Sequence, residues 1–143
     1  MIRLTDNLWI GNATTKVDII HAVDIGAILN VAQDLHGVTG WPEVEYMQVG
    51  LIDGPGNPTS AYYAAILALV TLLNRYNQVM MFCHGGSRST AIAVMHANLT
   101  SGLGFDRCLS MTQERVDIDL PTPHQAHKDA FDMIDWTLLR RLM

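Results

Sequence analysis

The segment from Val79 to Thr90 constrains this chain more than any other. Val79-Met80-Met81-Phe82 is apolar at every position and reads as a fully buried strand. It runs into the glycine-rich loop Cys83-His84-Gly85-Gly86-Ser87-Arg88, and a helical pattern follows from about Ser89 to Thr100. A buried strand feeding a helix through a glycine turn is the unit of a layered α/β domain. The rest of the chain agrees. Leu8-Trp9-Ile10 reads as a short strand ended by Gly11-Asn12, Ala27 to Val31 as a buried strand, and Glu45 to Val49 as an alternating one. Thr14-Thr15 can cap a helix carrying Val17, Ile19, Ile20 and Val23, and the stretch Asp34 to Pro42 reads as loop. Asp53-Gly54-Pro55-Gly56-Asn57-Pro58 must be loop, since its glycines and prolines continue neither element. Thr59 or Ser60 then caps a largely apolar helix to about Tyr76, and further helices are predicted over Phe105 to Arg115 and Gln125 to Leu142. Strands alternating with helices imply a mainly parallel sheet.

The loop carries the chemistry. Ligands of open α/β sheets bind at the carboxyl ends of strands. Successive backbone N–H groups in a glycine loop form an anion nest, and the following helix N-terminus adds partial positive charge. The glycines at 85 and 86 permit positive φ and close approach of an oxyanion. A cysteine at the mouth of such a nest has its thiolate stabilised by the same donors, and it lies where it can attack a bound phosphorus. Arg88 supplies a charged fork that matches two phosphoryl oxygens. Ser89 and Thr90 offer hydroxyls near the sulfur. His84 contributes its backbone N–H, with its imidazole expected to point outward. A structural turn with an inert thiol is the bland alternative, but apolar strand, Cys, two Gly, Arg and two hydroxyls seldom coincide.

Cys83 to Thr90 resembles the active-site loop of the cysteine-based protein phosphatases, especially the dual-specificity branch. Leu8 to Ala13 resembles that branch's opening strand and turn. Ile25 to Ala32 resembles its next strand, and Arg115 through Pro121 and Pro123 its turn into the last helix. The likeness spans nearly the whole chain. It implies a three-layer α/β/α phosphatase fold and a two-step reaction through a cysteinyl-phosphate, with Cys83 as nucleophile and Arg88 as phosphate clamp. Ser89 then assists the sulfur, and His84, Gly85, Gly86 and Ser87 line the phosphate. Asp53, about thirty residues before the cysteine, matches the family's general acid, with Gly54 and Gly56 as hinges of its loop. Two positions depart from the pattern. Four residues separate Cys83 from Arg88 where the family has five, and Phe82 stands where the family has histidine.

Composition narrows the function. With 143 residues, 49% of them hydrophobic, the chain suits one domain over residues 1–143. A net charge of −5 speaks against nucleic acid and anionic membrane as partners. With no lysine in the loop, polyphosphorylated inositol lipids and RNA 5′ ends are poorer substrates than phosphoprotein side chains, phosphotyrosine foremost. Met1 to Asp6 has no apolar signal core, so a cytoplasmic protein with free thiols is expected. Cys108 reads as a core thiol, and Met80, Met81, Met95 and Met111 as core filling. Cys83, His84, His96 and Cys108 lack zinc-ligand spacing, so no metal and no organic cofactor is expected. His124 and His127 read as surface residues near a helix end. Phe131, Ile134, Leu138 and Leu142 read as the buried face of the last helix, with Arg140 and Arg141 complementing its C-terminus. Two rival readings stand beside the phosphatase. One is a catalytically weak phosphate-binding module that shelters phosphorylated partners. The other is a sulfurtransferase, which would leave Asp53 without a role.

Overall fold

The computed structural model describes residues 1–12, 20, 21, 23–35 and 43–143. Five strands form one sheet: β1 (Ile2–Arg3), β2 (Leu8–Asn12), β3 (Ala27–Ala32), β4 (Glu45–Leu51) and β5 (Val79–Cys83), in the order β1-β2-β5-β3-β4. β1 is antiparallel to β2, and every other pairing is parallel. The central position of β5 explains its unbroken apolar sequence, because both its edges are paired and all five residues are buried. β2 runs two residues beyond the predicted stop, since Gly11 and Asn12 stay in register with Phe82 and Cys83. The predicted helix from Thr14 lies outside the described residues except for helical Ile20 and His21 and for Val23, which lies in a turn rather than a helix, and most of the Asp34 to Pro42 loop lies outside them too.

Alternation along β5 sends its side chains to two cores. Val79, Met81 and Cys83 face the larger one. It is covered by α1 (Thr59–Arg75), α2 (Ser87–Ser101), α3 (Phe105–Glu114), α4 (Gln125–Met133) and α5 (Trp136–Arg141). Met80 and Phe82 face a smaller cluster with Ile20, Ile25 and Ile28 on the opposite face. The thiol thus lies on the helix-rich side, and Phe82 packs away from it.

Two helix boundaries differ from the sequence reading. The N-cap of α1 is Pro58, with no side-chain cap from Thr59 or Ser60. The predicted last helix is two helices. Ile134 is extended at ψ 131°, and the Asp135 side chain accepts the Leu138 N–H as the cap of α5. The break resets the helical phase. Leu139 is buried, while Leu138 and Leu142 are exposed. Arg140 serves another helix's end, donating to the Asn98 carbonyl in the last turn of α2. Among the described residues no helix is long and apolar enough to cross a membrane.

Candidate active site

The carboxyl ends of β3, β4 and β5 meet where the strand order reverses, and the chemistry-bearing residues collect there. Cys83 is the last residue of β5 and is buried. Its Sγ accepts the Gly86 N–H at 3.1 Å and lies 3.5 Å from Ser89 Oγ. Ser89 Oγ also lies 3.2 Å from the Gly86 carbonyl. A hydroxyl has one proton to give. It goes to that carbonyl while the sulfur is a thiol, and it is free to turn to the sulfur when the sulfur is a thiolate.

Helix α2 begins at Ser87, two residues earlier than predicted, so Arg88 lies in its first turn. Gly86, the N-cap, makes this possible with φ +99°. A Cβ there would meet Pro121 Cγ at 2.4 Å. Gly85 does not share this conformation: it is absent from the positive-φ glycines, and a Cβ on it would meet nothing within 4 Å. Of the two loop glycines that permit positive φ, only Gly86 uses it, because one such residue suffices to turn the chain from β5 into α2. His84 and Gly85 are exposed, and Ser87 Oγ accepts the His124 N–H at 2.9 Å.

Arg88 is 3% exposed, and its Nη1 donates to Asp34 Oδ1 at 2.6 Å and to the Leu51 carbonyl at 2.9 Å. Its guanidinium thereby spans the ends of β3 and β4. The turn that presents Asp34 is shaped by buried Asn30, which accepts the Ala32 N–H and donates to the Leu35 carbonyl. The Arg88 contact holds the exposed Asp34 carboxyl below its ordinary value of 3.8. Arg88 Nε and Thr90 Oγ1 are buried with no hydrogen-bond partner among the described residues.

Asp53 sits two residues past β4, on a loop closed by a side chain the sequence reading passed over. Asn57 accepts the Ile52 N–H and donates back to the Ile52 carbonyl, both at 2.8 Å. Gly54 and Gly56 adopt φ of +150° and +107° inside this clip. Replacing Asn57 with alanine is expected to cost about 1–2 kcal/mol in denaturant unfolding and to speed proteolytic cleavage within residues 52–58. Unchanged stability and cleavage would show that the clip does not hold the loop.

His127 is the largest correction. It is fully buried rather than at the surface, with Nδ1 2.7 Å from Tyr62 Oη and Nε2 3.3 Å from Asp53 Oδ1. Burial lowers the imidazole's pKa, against the opposing pull of the Asp53 carboxylate. Helical spacing alone did not expose this, because the contact joins α4 to a loop 74 residues earlier. Segment 121–127 touches both halves of the site: Pro121 packs on Gly86, His124 binds Ser87, and His127 binds Asp53. Cys108 is buried in the core, as expected.

A mixed five-stranded sheet with a cysteine loop at the end of its central strand is the fold of the dual-specificity phosphatases. Human DUSP28 superposes with a TM-score of 0.77 at 16% identity, covering 99% of each chain. DUSP15 does so at 0.78 and 18%, covering 98% of this chain and 92% of its own. A human tyrosine phosphatase-like serine/threonine/tyrosine-interacting protein gives 0.80 at 16%, covering 97% of each. No family model and no curated protein matches the sequence.

Proposed function

We propose that this protein hydrolyses phosphomonoesters on protein side chains, phosphotyrosine foremost and phosphoserine or phosphothreonine with it, through a cysteinyl-phosphate. The observation that carries the reading is the sulfur of Cys83 at the end of β5. A backbone N–H and a hydroxyl converge on it, and a buried arginine stands one turn away. The partnerless Nε of Arg88 supports it, since a phosphoryl oxygen is an acceptor suited to that donor.

In the first step the Cys83 thiolate attacks phosphorus. The S–P bond forms, the P–O bond to the side chain breaks, and Asp53 gives its proton to the leaving oxygen. The loop amides and Arg88 hold the equatorial oxygens. In the second step water attacks the phosphocysteine and gives a proton to the Asp53 carboxylate. The S–P bond breaks, and inorganic phosphate and the thiolate are released, with Ser89 donating to the sulfur as it leaves. No step requires a metal.

The test is hydrolysis of an aryl phosphate from pH 4.5 to 8 in the presence of chelator, for wild type and Cys83→Ser. Expected are a chelator-resistant rate and loss of at least about a thousandfold in Cys83→Ser. An equal rate in both proteins would sink the proposal. No rate in either, with phosphate or phosphopeptide still bound, would favour a module that shelters phosphorylated partners. Among the fold neighbours, one is named a tyrosine phosphatase-like serine/threonine/tyrosine-interacting protein.

A further inference from the structure

The Asp53 loop carries more than an acid. Asn57 Nδ2 lies 3.3 Å from Tyr62 Oη, Tyr62 Oη 2.7 Å from His127 Nδ1, and His127 Nε2 3.3 Å from Asp53 Oδ1. Tyr62 is 2% exposed and His127 0%, whereas Asp53 is about half exposed. A line of polar groups thus runs from the protein interior and ends on one oxygen of the candidate acid.

The donors in this line have one self-consistent direction. The Asn57 amide can only donate through Nδ2, so the Tyr62 oxygen accepts from it. The tyrosine O–H then gives its proton to Nδ1 of a neutral His127, which places the imidazole hydrogen on Nε2. That N–H points at Asp53 Oδ1. Burial keeps the ring neutral at ordinary pH, in agreement with this tautomer.

We infer that His127 is a positioning residue that, oriented by Tyr62 and Asn57, fixes the Asp53 carboxyl so that Oδ2 carries the catalytic proton. An N–H on Oδ1 favours that oxygen as the unprotonated, carbonyl-like one, so the protonated acid is biased to bear its hydrogen on the other. It also restrains rotation of the carboxyl about its bond to the β-carbon. After the first step the same N–H stabilises the carboxylate that must accept a proton from water. This inference rests on the phosphatase reading. It adds to that reading a residue on α4 and a hydrogen-bond relay that the Cys83 loop does not contain.

The test uses the full chain and two esters of different leaving-group demand, para-nitrophenyl phosphate and phenyl phosphate, with unfolding midpoints measured in parallel. The nitrophenolate leaves with little help from an acid, and the phenolate needs it. His127→Ala is expected to lower kcat/KM, which reports the step that expels the leaving group, about tenfold more on phenyl phosphate than on the nitrophenyl ester. His127→Gln, which restores an N–H donor near the Nε2 position, is expected to recover part of that difference. Tyr62→Phe keeps the ring's packing and frees the tautomer, so it is expected to show the same signature at a smaller size. In an Asp53→Asn background, His127→Ala is expected to add no further leaving-group effect. Equal losses on the two esters, in His127→Ala and Tyr62→Phe alike, would overturn the inference while leaving the phosphatase intact. An inactive wild type would overturn both.

Discussion

Replacing Gly86 with alanine is expected to destabilise the protein by about 2–4 kcal/mol. Two costs add. A residue with a Cβ is strained at φ +99°, and the new methyl would lie 2.4 Å from Pro121 Cγ, well inside contact distance. The proline ring cannot swing away as a long side chain can, so the loop or segment 121–127 must shift. For a chain of this size the loss corresponds to a fall of roughly 5–15 °C in the unfolding midpoint. Gly85→Ala is the control. It meets nothing within 4 Å and has no left-handed φ, so its midpoint is expected to move by no more than about 2 °C. Activity should follow the same order, because displacing Gly86 also displaces the N–H that binds Cys83 Sγ at 3.1 Å. Equal midpoints for the two variants would contradict the role assigned to Gly86.

The second large effect is expected at Arg88. Arg88→Lys keeps the charge and removes the planar fork. Nη1 of the arginine already serves Asp34 and the Leu51 carbonyl, so the rest of the guanidinium is what remains for phosphate. A single ammonium cannot hold both strand ends and clamp two phosphoryl oxygens. The expected loss in kcat/KM is about a hundredfold or more, with the fold retained by circular dichroism. Asp34→Asn leaves the fork intact and weakens only its anchoring, and since Asp34 is 60% exposed the expected loss is far smaller, roughly threefold or less. If Arg88→Lys stayed within about threefold of wild type, Arg88 would be a structural strut rather than a phosphate clamp.

These two residues also show what was legible in the sequence. The apolar run into Cys83, the two glycines and the loop Asp53 to Pro58 are local signals: the run forms β5, and the glycines and the Asp53 loop lie at strand ends. The positions of α1, α2 and α3 follow from periodicity to within two residues, and the parallel sheet follows from the alternation of strands and helices. What did not show through is long-range. Nothing near Gly86 announces that Pro121 occupies the space beside it, so Gly85 and Gly86 looked equivalent. Asp34 read as part of a loop, because its partner lies 54 residues on. His127 looked like one of two exposed histidines, because the tyrosine and aspartate that bury it come from α1 and the β4–α1 loop. One local clue was there. His127 precedes Phe131 by four residues, which puts it on the same helical face as a residue read as core. The break at Ile134-Asp135 also had a signal in Asp135, a cap residue inside a helical pattern.

Catching the phosphoryl group on the protein tests the proposed cysteinyl-phosphate most directly. Wild-type protein turning over para-nitrophenyl phosphate would be quenched in denaturant within its first turnovers, digested, and mapped by mass spectrometry. Phosphate is expected on the sulfur of Cys83, more of it in Asp53→Asn where the second step lacks its base, and none in Cys83→Ser. Steady turnover with no phosphocysteine, or with the phosphoryl group on another residue such as His84, would contradict it.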